Sequence, residues 1–170
     1  MSAILEGRTP TGDVVMLRPP IDGQPLPDSS SEYDDWGEKL PLSETVGHIE
    51  RLVVECDGVA AGHVGWHRVH YGPNLGSCAW NIGIGLIESA QGRGIGSVAQ
   101  GLLARYLLAT TPLDRVEAST DVTNIAEQRA LEKAGFTREG VLRSAQQRVD
   151  GRHDLYSYSF VRGDELPSGL

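Results

Sequence analysis

The chain has 170 residues, 39% of them hydrophobic, and its 23 acidic and 15 basic side chains give a net charge of −8. This length suits one domain with a core of its own, so we expect a single domain over 1–170 with its core at about 13–162. The negative charge argues against nucleic-acid binding through a broad basic face. No apolar stretch is long enough to predict a membrane span.

The N-terminus and the cysteines indicate a cellular setting. The first ten residues lack the basic start and apolar core of a secretory signal. Cys56 and Cys78 form neither a CxxC pair nor a zinc-ligand spacing. We therefore expect a cytoplasmic protein with two unreactive thiols and no bound metal.

The first half of the chain predicts an antiparallel meander. Asp57-Gly58 separates two strand-like runs and supplies the backbone conformation that a tight primed turn requires. A loop rich in Pro, Ser and Asp (19–31) precedes a stretch, 31–40, with one or two short helices. The predicted strands are 13–19, 48–56, 59–70 and 77–87.

The second half predicts helices between strands. The glycines of "QGRGIG" (91–96) precede apolar residues at helical spacing from Ile95 to Leu107, and "TTP" ends that helix. A strand follows at 113–120, and then a second amphipathic helix at 124–135 that ends in Gly135. Two closing strands lie within 136–144 and 153–162. The fold class is therefore α/β (α+β), with about seven strands.

A strand, a glycine-rich turn and a helix N-terminus together form an anion site. The first N–H groups of a helix have no internal acceptor, and they carry the positive end of the helix dipole. Glycines allow close approach to a diphosphate, and Arg93 adds a charge. The chain lacks GxxxxGK[ST] and a full GxGxxG. A tight turn that only serves packing is the alternative.

Several motifs in order resemble one enzyme family. "QGRGIG" has the Q/R-x-x-G-x-G/A form of the acetyl-CoA loop of the GCN5-related N-acetyltransferases (GNAT). "MLRPP", "TNIAEQRALEKAGFTREGVLR" (123–143) and "DGRHDLYSYSFVR" (150–162) resemble the subgroup of ribosomal-protein N-terminal acetyltransferases. The resemblance covers about Val14 to Arg162. It implies a mixed, mostly antiparallel sheet flanked by helices.

The resemblance also implies acetyl-CoA as the acyl donor and a set of residues that bind it. The diphosphate would lie on the N–H groups of the glycine loop, and the pantetheine arm would pair with the fourth predicted strand. A backbone N–H near Leu86 would polarise the thioester carbonyl, so that an amine attacks directly without an acyl-enzyme. The implied binding residues are Ile84, Leu86, Ile87, Gln91, Gly92, Arg93, Gly94, Ile95, Gly96, Ser97 and Asn124.

Glu127 departs from the family pattern, because members of the subgroup often have Ser at this position. One interpretation is a capping box, in which Asn124 caps the second helix and Glu127 reaches back to the Asn124 N–H. The other is catalytic: partial burial would raise the pKa of Glu127, which would then accept a proton from the incoming ammonium. Tyr156, Tyr158 and His67 are weaker candidates for the acid or the base.

The acidic segment Asp22–Glu44 contains seven acidic residues and one lysine, which favours a cationic acceptor. Tyr33 and Trp36 in this segment are candidates for an aromatic wall around that acceptor. The resemblance implies a primary amine, either a protein N-terminus or a small molecule such as a polyamine, an aminoglycoside or a peptide antibiotic. The competing classes are a non-catalytic acyl-CoA-binding protein and an interaction domain without cofactor. We expect a monomer or homodimer.

Overall fold

The computed structural model describes residues 5–36 and 48–164. Within them, eight strands form one sheet in the order β1-β2-β3-β4-β5-β6-β8-β7, in which only β5 and β6 run parallel. The strands are β1 (Leu5–Arg8), β2 (Val14–Arg18), β3 (Glu50–Cys56), β4 (Val59–His70), β5 (Cys78–Leu86), β6 (Arg115–Asp121), β7 (Thr137–Arg148) and β8 (Gly151–Val161). The helices are α1 (Ile95–Thr110) and α2 (Ile125–Lys133). The predicted fold class is confirmed, and β1 is the strand that the sequence pattern did not predict.

The turns account for the strand register. Asp57 and Gly58 have φ angles of 50° and 79°, as the predicted primed turn between β3 and β4 requires. The closing hairpin is longer than predicted, because β7 continues to Arg148 and turns through Val149 and Asp150.

In the predicted helical stretch, Ser31 Oγ accepts the Tyr33 N–H and caps a 3₁₀ turn at Glu32–Asp34. Residues 37–47, which include Glu38, Lys39 and Glu44 of the acidic segment, lie outside the described residues.

Strand β5 parts from β6 soon after the two strands meet. It pairs with β4 from Cys78 to Leu86, but with β6 only through Trp80 and Asn81. Hydrogen-bonded pairs alternate along an antiparallel ladder, and the Ile87 N–H donates to the Ala61 carbonyl at 2.9 Å. The same alternation directs the N–H and C=O groups of Ile84 and Leu86 away from β4. They therefore face a wedge-shaped opening between β5 and β6.

Both helices pack on the sheet and bring their ends to this wedge. The apolar side of α1 contacts β1, β2, β4, β5 and β6, whereas α2 contacts β6, β7 and α1. A Cβ at Gly96, in the first turn of α1, would lie 3.6 Å from the side chain of Leu86 and 3.9 Å from that of Ala130 in α2. The start of α1, the middle of α2 and the open edge of β5 thus meet in one place. In the described part of the chain, neither helix combines the length and apolar character needed to cross a membrane.

Candidate active site

The glycine loop adopts the backbone that an anion site requires. Gly92 and Gly94 have φ angles of 72° and 81°, which side chains other than glycine rarely adopt. Gly94 is the N-cap of α1 and offers no side-chain acceptor. The N–H groups of Ile95, Gly96 and Ser97 are therefore left without intrahelical partners at the positive end of the helix dipole. This geometry suits the predicted diphosphate site.

A side chain of the loop ties it to the end of β5. Gln91 Nε2 donates to the Leu86 carbonyl at 3.1 Å. Of the three residues that the sequence assigned to the pantetheine arm, Ile84 and Leu86 face the wedge with their backbone groups. The Ile87 N–H is already donated to Ala61, so this residue offers no free donor there.

Arg93 points to a carboxylate rather than into the wedge. One of its terminal nitrogens lies 2.8 Å from Asp13 Oδ1 and 3.6 Å from Cys56 Sγ. Hydrogen bonds from Thr11, Thr9 and Arg93 lower the pKa of Asp13 to about 2. Asp13, Cys56 and Asp57 lie close enough together to hold a cation, and the Arg93 guanidinium contacts two of the three. In this structure Arg93 therefore neutralises Asp13.

Glu127 lies at the interface of α1 and α2. Asn124 Oδ1 accepts the Glu127 N–H at 3.2 Å, so the predicted helix cap is confirmed. The other half of the capping box is wrong, because the Asn124 N–H donates to the Asp121 carbonyl at 3.0 Å. Burial raises the pKa of Glu127 to about 7, against a smaller opposing effect of the Gln100 side chain of α1. This carboxyl group therefore exchanges its proton near neutral pH.

The acidic segment reaches the N-terminal end of α2 through Tyr33. The Tyr33 hydroxyl donates to the Thr123 carbonyl at 3.4 Å, and the Arg148 guanidinium lies 5.4 Å from the centre of its ring. Trp36 is 44% exposed and lies two residues beyond this turn. Of the two predicted acceptor residues, Tyr33 therefore lies beside the start of α2.

The other candidates for acid or base are engaged elsewhere or lie on the opposite face. Tyr158 is fully buried and donates to Glu132 at 3.3 Å, and Arg138 covers the ring of Tyr156 at 4.6 Å. His67 is partly exposed and lies opposite Asn81 across β4 and β5, on the same side of β4 as His63, whose Nδ1 lies 3.4 Å from Ser29 Oγ. Burial, and then Arg51, lower the pKa of His63, which favours its neutral form.

A buried ionic cluster at the end of β6 was not predicted from the sequence. The Asp121 side chain is 1% exposed and contacts Arg148 at 2.8 Å and His153 Nδ1 at 2.9 Å. Its other oxygen accepts from the N–H and hydroxyl of Thr123. His153 Nε2 lies 2.8 Å from Asp150. The cluster joins the β7–β8 turn to the start of α2; its signal in the sequence was the charged run "RVDGRHD" at that turn.

We expect His153 to make the stability of the protein depend on pH. Both imidazole nitrogens contact carboxylates, and the hydrogen bonds that His153 makes to Asp150 and then to Asp121 raise its pKa above 6.5. A raised histidine pKa stabilises the fold below the unfolded value of 6.5, and this contribution is lost as pH rises through the folded pKa. The difference in Tm between wild type and H153Q should therefore be largest near pH 6 and shrink toward pH 9. A difference that does not change with pH would contradict this.

The mixed sheet, the parted strands β5 and β6 and the glycine loop at the start of α1 are typical of the GNAT fold. Residues 15–137 match the family described as the acetyltransferase (GNAT) domain. The chain therefore belongs to the GNAT family, as the sequence resemblance implied.

Individual relatives agree with this family. The chain is 39% identical over 62 residues to the probable N-acetyltransferase YjcK of Bacillus subtilis, which covers 36% of the chain and about a third (34%) of that relative. A Salmonella typhimurium acetyltransferase that modifies the N-terminal serine of ribosomal protein L7/L12 is 25% identical, with a TM-score of 0.59 over 68% of the chain and 65% of its own. The microcin C7 self-immunity acetyltransferase MccE, solved with acetyl-CoA and AMP, is 25% identical, with a TM-score of 0.58 over 67% of the chain and 61% of its own.

Proposed function

We propose that the protein is an acetyl-CoA-dependent N-acetyltransferase that transfers the acetyl group to a primary amine by direct attack. The observation that carries this proposal is the convergence at one wedge of three features. They are the N–H groups at the start of α1 without intrahelical partners, the edge of β5 beyond its short ladder with β6, and the Glu127 carboxyl group with a pKa of about 7, one turn before Ala130 of α2. Together they supply an anion site, a strand-like docking edge and a proton acceptor.

The residues of the wedge have separate roles in this proposal. Acetyl-CoA supplies an activated thioester. The N–H groups of Ile95 and Gly96 hold its diphosphate, and the backbone of Ile84 and Leu86 pairs with the pantetheine arm. The Leu86 N–H donates to the thioester oxygen, where negative charge develops as the amine adds.

Glu127 makes the acceptor nucleophilic. It accepts one proton from the incoming ammonium, which leaves a lone pair on nitrogen. The nitrogen then bonds to the acetyl carbon as the carbon–sulfur bond breaks. The second proton of the amine is released as the amide forms and neutralises the departing thiolate. The scheme needs no side-chain nucleophile, and neither Cys56 nor Cys78 is assigned a role.

The acceptor is proposed only as a primary amine. Among similar structures, one enzyme modifies a protein N-terminus and another confers self-immunity to microcin C7. The acidic residues near Tyr33 favour a cationic acceptor of either kind. A single acetyltransferase domain that acts in the cytoplasm as a monomer or homodimer completes the proposal.

Thermal unfolding with and without acetyl-CoA tests the cofactor. A ligand that binds only the folded state at a hundredfold excess over its Kd adds about 2.7 kcal/mol of stability. We expect a rise in Tm with acetyl-CoA and with free CoA, and none with ATP. The absence of a shift at millimolar acetyl-CoA would refute the assignment and leave the glycine loop as a turn.

A release assay for the CoA thiol then separates an enzyme from a binding protein. The panel should contain peptides with free and blocked N-termini, a polyamine and an aminoglycoside. Turnover with any of these amines supports the enzyme. Cofactor binding without turnover across the panel would favour the non-catalytic acyl-CoA-binding alternative.

A further inference from the structure

Gln100 is a polar residue at a buried position of α1. It is 1% exposed, and its neighbours in the helix include the buried residues Val98, Ala99 and Leu103. Its Nε2 donates to the Gly96 carbonyl at 3.2 Å. Its Oε1 is buried and has no hydrogen-bond partner in the described part of the chain.

This arrangement is difficult to explain by packing alone. A buried carbonyl oxygen without a donor destabilises the fold, because it loses the hydrogen bonds that it made with water. Methionine has a similar length and volume and would fill the same space without that loss. The amide therefore indicates a role that outweighs its effect on stability.

The geometry of the two helices places Gln100 beside Glu127. Gly96 precedes Gln100 by one turn and faces Ala130 of α2 at 3.9 Å, measured from the Cβ that glycine lacks. Ala130 follows Glu127 by three residues, so the two share one side of α2. The amide group of a glutamine has two N–H donors. One of them is used by Gly96, and the second can turn to the Glu127 carboxyl group, whose pKa the Gln100 side chain lowers.

We propose that Gln100 is a positioning residue, whose amide is anchored on the Gly96 carbonyl and holds the Glu127 carboxylate at the wedge between β5 and β6. The anchor lies in the first turn of α1, so the same turn that carries the proposed diphosphate site also fixes the proposed base. The free Oε1 provides an acceptor for Glu127 when that carboxyl group is protonated. The amide therefore offers an N–H donor to the ionised carboxylate of Glu127 and the Oε1 acceptor to its protonated form.

Few other groups influence this carboxyl group. In the ranges 5–36 and 48–164, no charged side chain of α1, α2, β5 or β6 contributes to the shift of the Glu127 pKa. Burial and Gln100 are its two causes, and they act in opposite directions. Removal of the amide should therefore change the ionisation of Glu127 without competing effects from nearby charges.

The substitution Gln100→Met tests the proposal in two ways. We expect the pKa of Glu127, measured by carbon NMR of its side-chain carboxyl in the full chain, to rise above the wild-type value. If Glu127 is the base, the pH profile of kcat/KM should move upward by the same amount. One pKa unit would correspond to about a tenfold loss well below the pKa, which recovers at high pH. The second readout rests on the proposed function, whereas the NMR titration does not.

Controls separate positioning from structure. Leu103→Met changes the packing of the same helix one turn later, and it should leave both the carboxyl titration and the pH profile unchanged. Tm of Q100M should equal or exceed that of wild type, because an unpaired oxygen is removed. In the double variant with E127Q, the methionine should cause no further loss of activity.

Two results would overturn the proposal. One is a Glu127 titration that is the same in Q100M and wild type. The other is a shift of equal size in L103M. If wild type transfers no acetyl group while the titration of Q100M shifts as expected, the proposed function fails but the contact between Gln100 and Glu127 stands.

Discussion

Replacement of Glu127 by glutamine is expected to lower kcat/KM for acetyl transfer at pH 7 by about 10²- to 10⁴-fold, the usual contribution of a positioned general base. Glutamine retains the size of the side chain, and the Asn124 cap depends only on the backbone N–H of residue 127. The helix should therefore remain in place while the proton acceptor is lost. The measurement is the rate of CoA thiol release with an amine that the wild type acetylates.

The same substitution lowers activity but is expected to maintain or increase the stability of the fold. The folded pKa of Glu127 is about 7, above the ordinary value of 4.5, so ionisation of this half-buried group opposes folding as pH rises through this range. Tm of E127Q at pH 8 should therefore equal or exceed that of wild type. Glu132→Gln is the matched control, since Glu132 lies on the exposed side of α2. An unchanged kcat/KM in E127Q, or an equal loss in E132Q, would exclude Glu127 as the base.

Substitution of Gly94 by valine is expected to weaken the binding of acetyl-CoA by about tenfold or more, which corresponds to 1.4 kcal/mol or more. Gly94 has a φ of 81°, and a Cβ there would lie 3.4 Å from Pro10 Cδ. A β-branched residue is strongly disfavoured at this φ, so the turn must change and the N–H groups at the start of α1 lose their common direction. Isothermal titration with free CoA measures the effect without an acceptor.

A general loss of stability must be separated from the loss of the site. Strain of this kind costs about 1–3 kcal/mol, so G94V should also lower Tm. Gly163→Val is the control, because Gly163 also has a positive φ, 101°, and no atom within 4 Å of its Cβ position. Gly163 lies in the turn after β8, away from the glycine loop. If both variants lose CoA affinity equally, the loop has no special role in binding.

Local patterns in the sequence were enough to predict the elements that border the wedge. The left-handed backbone of Asp57-Gly58 and of the glycine loop follows from residue type, and both helices begin within one residue of their predicted starts. The cap of α2 by Asn124 follows from the spacing of Asn124 and Glu127. Such features depend on neighbours in the chain, and so they can be read from a single sequence.

Contacts between distant segments could not be read in this way. β5 and β6 separate where their parallel pairing ends, and the sequence of neither strand predicts that position. The partners of Asp121 come from β8 and the end of β7, some thirty residues away. Likewise, the sequence does not show that Gly96 of α1 packs near Ala130 of α2, because the angle between two helices decides that contact. The contact of Arg93 with Asp13, eighty residues distant in the chain, could not be predicted for the same reason.

The short junction of β5 and β6 divides the sheet into two unequal halves. Within residues 5–36 and 48–164, the ladder between the five N-terminal strands and the three C-terminal ones consists of two residue pairs, Trp80–Val116 and Asn81–Glu117. A cofactor arm that binds in the wedge would extend that ladder and hold β5 and β6 together. Under the proposed function, the cofactor therefore stabilises the sheet in addition to supplying the acetyl group. The stability of β6, β7 and β8 against local unfolding then depends on whether the cofactor is bound at the edge of β5.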